Sequence, residues 1–456
     1  MTPFRLPIPF RDPLAAFAPL ANTPMAVLLD SAQGGAQGRY CYIAADPFRT
    51  IRCTAYPWTV TVDGAKADGD PFAVLARELK PFKTAPSERA PFEGGAIGFF
   101  AYELGGVLEQ LPPPRTRPCP DDMVVGLYDV VAVFDQEQRE AWIASTGFPD
   151  ADNAARAKSR ATWLAGALGT ETLPPPRIEK GAWHAETTRA VYEEKVAAVI
   201  EAIRAGDIYQ ANFTQRLTAQ VSTGAAYDVY RRLRALAPAP FAAFLNAGTM
   251  KLLSASPERF LKFEARGHVE TRPIKGTRPR GETAAEDAKL AAELTASAKD
   301  RAENLMIVDL LRNDLARVCA PGSVKVPQLC ALETFPAVHH LVSVVTGDLR
   351  ADMDAVDLLR AAFPGGSITG APKIKAMEII HGVEPSARGP YCGAIAWLGF
   401  DGAMDSSIGI RTLVQSEDTL TAQGGGGIVA QSNPAAEYDE SMIKLRPMLA
   451  VLDEPV

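Results

Sequence analysis

The chain has 456 residues, 47% hydrophobic and 22% charged, a globular composition with room for one large domain or two to three smaller ones. A net charge of −7 argues against general nucleic-acid binding, so any basic cluster needs a local explanation. The six cysteines (Cys41, Cys53, Cys119, Cys319, Cys330 and Cys392) have no C-x-x-C spacing. They suggest buried free thiols in a reducing cytoplasm, not a metal site or a disulfide framework.

The first residues, "MTPFRLPIPFRDPLAAFAPL", are broken by prolines and lack the basic-then-apolar order of a signal peptide. No uncharged apolar run is long enough to span a bilayer, so no membrane association is expected. Strand-like runs follow: "MAVLLD", "RYCYIAA", "AIGFFAYEL" and "VVGLYDVVAVFD". The proline-rich "LPPPRTRPCPDD" (111–122) reads as a loop. "GTETLPPPRIEKGAW" (169–183) is the better boundary, separating a region 1–175 from a region 185–456 that shares one core with it.

Beyond the boundary, Tyr192, Val196, Val199 and Ile203 recur at helical spacing, with Gly206 as a C-terminal stop. "NFTQRLTAQV" alternates as a half-buried strand should, with Phe213, Leu217, Ala219 and Val221 on one side. Residues 284–318 predict one or two long helices and 437–450 another. Helices mixed irregularly with strands indicate an α+β fold with mainly antiparallel sheets.

Several stretches invite chemistry. Asp300 and Glu303 lie at i, i+3 on a predicted helix, and Glu437 and Glu440 repeat the arrangement, with Lys444 one turn later. Each pair is either a solvated acidic face or half of a divalent-cation site suited to Mg²⁺. "PGGSITGAPKIK" starts a helix after Gly370, with Pro372 in its first turn, but lacks the Lys-Ser/Thr of a P-loop. "GGGGIVAQS" puts four glycines ahead of a strand, which allows either close anion approach or a bulge. Glu258 in "SPERF" follows an apolar stretch and suits either general-acid use or a surface salt bridge. His340 in "AVHHLVS" is either a satisfied core histidine or a catalyst. "TRPIKGTRPRG" (271–281) sets Lys275 among Arg272, Arg278 and Arg280, as a solvated basic loop, an anion cradle or the seat of a nucleophile. No cysteine lies in a nucleophile elbow, so the chain shows no means of making ammonia from glutamine.

Taken in order, "SPERF", "PIKGT", "KDRAENLMIVDLLRNDL", "HHLVS", "GGSITGAPK", "GIRT" and "GGGGIVAQSNPAAEYDE" resemble the chorismate-utilising enzymes, over about residues 185–450. "LLDS" (28–31) and "GRYCYIAADP" (38–47) are similar to the amino-terminal region of that family, which holds a tryptophan pocket in some members. The resemblance implies two mainly antiparallel sheets forming a sandwich-like core flanked by helices.

It also implies that Glu303 and Glu440 ligate Mg²⁺, with Asp300 and Glu437 helping through water, and that the metal anchors the ring carboxylate of chorismate. By the same resemblance Glu258 is a general acid/base and His340 lies near the leaving 4-hydroxyl. Tyr391 and Arg411 hold the enolpyruvyl carboxylate, and Gly276, Thr277, Ser367, Gly425, Gly427 and Lys444 line the substrate. Ser367 stands where relatives commonly carry threonine.

Two positions choose a branch. Water-adding relatives carry a lysine in the "YQANF" region, where this chain has Ala211. Anthranilate synthases read "PIAGT" where this chain has "PIKGT", and the lysine marks the aminodeoxychorismate-forming branch. There Lys275 would attack C2 and expel the 4-hydroxyl before ammonia adds at C4, with Arg272, Arg278 and Mg²⁺ keeping the amine neutral. Ammonia would come from a separate glutamine amidotransferase subunit. The rival readings are an anthranilate synthase component with an unusual lysine and a non-catalytic polyanion-binding module.

Overall fold

The computed structural model describes residues 2–453 apart from 36, 117–118, 151–153 and 336–337, so part of the 111–122 stretch lies outside the described residues. Two twelve-stranded sheets face each other, and their ladders are antiparallel throughout. Both sheets draw strands from both sides of the 169–183 stretch, which itself contains no helix or strand. In one sheet Val27–Asp30 pairs with Phe241–Asn246, and in the other Gly95–Phe100 pairs with Ala394–Gly399.

The apolar inner faces meet in a shared core that includes Val27, Tyr42, Phe99, Val124, Leu252, Ile395 and Val414. Helices cover the outer faces. Ala298–Ala316 and Ala355–Ala362 pack under one sheet, while Ala154–Ala167, Ala226–Leu236 and Pro434–Leu449 pack over the other. The expected α+β sandwich is what the chain forms. Among the described residues no helix is long and apolar enough to cross a membrane.

Local chemistry sets the elements that carry the site. The 284–318 stretch is two helices, Ala284–Ala296 and Ala298–Ala316, because Ser297 breaks the run and its side chain accepts from the Asp300 N–H at 3.2 Å. Asn433 caps Pro434–Leu449 in the same way, with Pro434 at the first position. Helix Arg189–Arg204 ends beside Gly206 at φ +87°.

Three expectations need correction. Gln210–Gln220 is buried on both faces along most of its length, not half-buried, because helices cover the Ala211 and Phe213 face while Glu384, Ala387 and Arg388 pair with Asn212, Thr214 and Arg216 on the other. The four glycines lie inside the strand Thr419–Ile428 and do not precede it. Pro372 is the cap before helix Lys373–Val383, not part of its first turn.

Candidate active site

The Lys275 stretch is an edge strand, Ile274–Pro279, paired with Val338–Asp348. The ladder slips between Lys275, opposite Leu341, and Thr277, opposite His340, leaving Gly276 as the extra residue of a bulge. Gly276 sits at φ +77°, and a Cβ there would come within 2.9 Å of Asp300 Cβ and Leu294 Cδ1, so only glycine fits without strain. The bulge turns the Lys275 amine inward, where it donates to the Ser367 carbonyl at 3.2 Å. Thr277 Oγ1 meets His340 Nδ1 at 2.9 Å.

Burial pushes the Lys275 amine below its ordinary value and Lys444 adds to the effect, while Glu303, Glu258 and Glu440 oppose it. The flanking arginines take no part in this. Arg272 is paired with Glu333 at 2.5 Å, Arg278 with Asp300 at 3.3 Å and Arg280 with Asp287 at 2.7 Å. The expectation that Arg272 and Arg278 depress the lysine is therefore corrected. Each guanidinium is neutralised by a carboxylate, and desolvation does the work.

Glu258 is buried, and burial raises its carboxyl against the pull of Lys275, the Ser367 side chain and the Ile274 N–H. Ser367 lies on a one-turn 3₁₀ segment, Gly366–Ile368, so one turn touches both Glu258 and Lys275. His340 is also buried. Desolvation and the Arg411 charge bring it down to about 4, so its ring is neutral at pH 7.

Arg411 has φ +48°, a left-handed conformation that costs a non-glycine residue about 1 kcal/mol or more. Its guanidinium is pushed down by burial alone. Tyr391 is buried, with Cys392, Arg388 and Glu384 as its titratable neighbours, and burial raises its phenol.

Two helices bring the acidic pairs to the other side of Lys275. Glu303 is raised by burial, with Lys275 and Lys299 opposing. Glu437 is buried and accepts from Ser432 Oγ at 2.6 Å. Burial alone would raise Glu440, but Lys444, 2.8 Å away, outweighs it and holds the carboxyl low. Asp300 is turned aside into its pair with Arg278.

Among the described residues no three His, Cys, Asp or Glu side chains already converge as a metal cage. The donor chemistry nevertheless fits Mg²⁺. Glu303 and Glu437, from different helices, both face the Lys299 ammonium at 3.9 and 4.0 Å, so a cation already bridges the two helices. A few carboxylates with room for water and an anionic substrate is the coordination habit of Mg²⁺.

The glycine strand divides by face. Gly425 and Gly427 turn towards Gln210–Gln220, where a Cβ would lie 2.0 Å from the Phe213 carbonyl or 2.5 Å from Gln210 Nε2. Gly426 turns towards Glu437, Lys444 and Glu440, with a Cβ position 3.4 to 3.6 Å from their charged atoms. Lys444 Nζ reaches past it to the Gly425 carbonyl at 3.0 Å.

Sequence reasoning missed Gly426 and Lys299, although both sat beside residues that it singled out. It also missed Gln210, which is fully buried with both amide atoms unpartnered. Alternation along its strand was the only available signal, and that signal placed Gln210 on a polar face.

The cluster thus joins a desolvated amine, a carboxyl raised by burial, a neutral imidazole, a partly buried guanidinium and a carboxylate pair able to take a divalent cation. A family model described as chorismate binding enzyme matches residues 27–450. Aminodeoxychorismate synthase component 1 of Salmonella typhimurium is 44% identical, covering 99% of each chain. Its counterpart in Escherichia coli is 42% identical over 96% of this chain and 95% of that one. Anthranilate synthase component 1 of Thermus thermophilus is 37% identical over 97% and 95%. The crystal structure of anthranilate synthase component I from Streptococcus pneumoniae superposes with a TM-score of 0.80 at 31% identity, covering 91% of this chain and 93% of that one.

Proposed function

The chain belongs to the chorismate binding enzymes, and on that premise we propose that it works as an aminodeoxychorismate synthase component 1. It converts chorismate and ammonia to 4-amino-4-deoxychorismate, the precursor of 4-aminobenzoate and folate. The observation that carries this reading is the setting of Lys275, whose inward-turned amine lies 3.2 Å from the Ser367 carbonyl with Glu258 and Glu303 acting on its charge.

The neutral amine forms a bond to C2 of chorismate as the two conjugated ring double bonds shift towards C4 and the C4–O bond breaks. Glu258, whose carboxyl burial raises, gives a proton to the departing hydroxyl, which leaves as water. Ammonia then bonds to C4, both double bonds return, the C2–N bond breaks to free Lys275, and a proton lost from the added ammonia returns to Glu258. His340 orients the leaving oxygen as a neutral hydrogen-bonding partner.

Tyr391 and Arg411 hold the enolpyruvyl carboxylate. Gly276, Thr277, Ser367, Gly425, Gly427 and Lys444 line the remainder of the substrate. Glu303 and Glu440 would hold Mg²⁺, with Asp300 and Glu437 acting through water. When bound, the ion neutralises the ring carboxylate and draws charge from the breaking bond.

All six cysteines are buried, and burial pushes Cys53, Cys119 and Cys392 to about 12 and Cys319 to about 11. Such thiols make poor nucleophiles, which supports an ammonia supply from a separate glutamine amidotransferase subunit. A cavity of about 590 Å³ lined by Asp30, Ser31, Arg39, Tyr42 and Trp397 is our candidate for the tryptophan pocket of the amino-terminal region.

Product identity tests the proposal against the anthranilate alternative. Chorismate, Mg²⁺ and ammonium at high pH should give a product that releases 4-aminobenzoate only after a lyase is added. Anthranilate appearing without that lyase would overturn the assignment.

A further inference from the structure

Lys275 and Glu258 share one support. The Gly366–Ile368 turn offers the Ser367 carbonyl to the amine at 3.2 Å, and the Ser367 side chain lies beside Glu258 and favours its carboxylate form. A single turn of 3₁₀ helix is not rigid in isolation, so something must hold it.

The next carbonyl, that of Ile368, accepts from Arg388 Nη1 at 2.9 Å and from Asn212 Nδ2 at 3.2 Å. Arg388 is 1% exposed, so a guanidinium has been buried under the site without touching the reacting groups. Its other donors go to Glu384 at 2.9 and 2.7 Å and to the Asn212 carbonyl at 2.5 Å. Glu384 is fixed in turn by the Thr214 N–H and hydroxyl, and the Arg388 ring contact is with Tyr102, 4.5 Å from the ring centre. The Arg388 main chain donates to Glu103 at 2.7 Å and accepts from Gln423 at 2.8 Å.

The side chain therefore ties the turn to the Gln210–Gln220 strand and to the end of helix Lys373–Val383, while Gln423 of the glycine strand holds the main-chain carbonyl of the same residue. A buried forked cation with every nitrogen hydrogen-bonded makes an unyielding strut, and lysine cannot reproduce its geometry.

We propose that Arg388 is a positioning residue for the reaction, acting through the Ile368 carbonyl to hold Ser367 where it aligns the Lys275 amine and the Glu258 carboxyl. This rests on the reading that those two groups do the chemistry. A displacement of about 1 Å at an aligned reacting group costs roughly 100-fold in rate.

Arg388→Lys is expected to lower kcat about 100-fold with KM for chorismate within a factor of about three, since Arg388 lies outside the substrate contacts proposed above. Acylation of Lys275 by an amine reagent, followed by peptide mass spectrometry, should change in rate. The comparator is Arg160→Lys, which disturbs a different buried pair, Arg160–Asp129 at 3.0 Å, far from the site. It should leave kcat and Lys275 labelling unchanged. If Arg388→Lys does not fold, Asn212→Ala removes the second donor to Ile368 and should show the same split to a smaller degree.

A loss confined to KM, or labelling and kcat matching those of Arg160→Lys, would overturn the proposal. Lys275→Ala separates it from the reading beneath. If that variant keeps the wild-type rate, the assignment of chemistry fails; if it is inactive while Arg388→Lys and Asn212→Ala are not, only the role of Arg388 fails.

Discussion

Lys275 carries the argument at the scale of single residues. Its amine must be neutral to attack, and burial lowers its pKa from the 10.5 of an ordinary lysine. With free NH₃ held constant across pH, kcat should rise with pH through a midpoint below 10.5, and Lys275→Arg should abolish that limb. The sign of the stability effect follows from linkage. Between the folded value and 10.5 the unfolded chain binds more protons, so stability rises with pH across that window and the full penalty applies below it. Lys275→Met should therefore raise the melting temperature, most at neutral and lower pH, with the gain shrinking as pH approaches 10.5. Glu258→Gln keeps the shape but not the transferable proton, and should cost about 10² to 10⁴ in kcat. The identity of Lys275 was legible in "PIKGT", but the cause of its pKa shift was not. Sequence puts Arg272 and Arg278 close by, and only the tertiary pairs with Glu333 and Asp300 show that their charges are spent elsewhere.

The glycine strand shows what is decided at the scale of an element. Its neighbouring glycines serve opposite faces, which alternation in sequence could have revealed had the run been read as part of the strand. Gly425→Ala would push a methyl into the Phe213 carbonyl, at a Cβ distance of 2.0 Å, and should destabilise the fold by about 1–3 kcal/mol in a denaturant titration. Gly426→Ala meets the flexible ends of Glu437 and Lys444 at 3.4 Å and of Glu440 at 3.6 Å. It should leave the unfolding midpoint nearly unchanged while weakening Mg²⁺ binding, read by calorimetry. In sequence the 284–318 stretch reads as one or two long helices, and its division into Ala284–Ala296 and Ala298–Ala316 at Ser297 follows from capping chemistry. Whether the two acidic pairs faced one another was not visible, because that depends on how two helices about 130 positions apart in the chain are laid over the sheets.

At the scale of the molecule, strands from both sides of the 169–183 stretch complete each sheet, and their inner faces form one core. The α+β class and the two-sheet arrangement could be expected from strand-like runs and family motifs. The interleaving could not, because antiparallel partners such as Val27–Asp30 and Phe241–Asn246 lie some two hundred residues apart with no local signal joining them. Such an architecture should unfold in one cooperative calorimetric transition, and a fragment ending near residue 175 should lack native near-ultraviolet dichroism. The same architecture brings Glu258, Lys275 and Ser367 from three separated segments together for the covalent chemistry proposed above, and the intact protein reports on it directly. Wild-type chain quenched with chorismate and Mg²⁺ but no ammonia should carry an adduct on Lys275 with the mass of chorismate less one water, and Lys275→Ala should carry none. A chain that turns over chorismate once ammonia is added, yet shows no such adduct and loses nothing in rate on Lys275→Ala, would contradict the account.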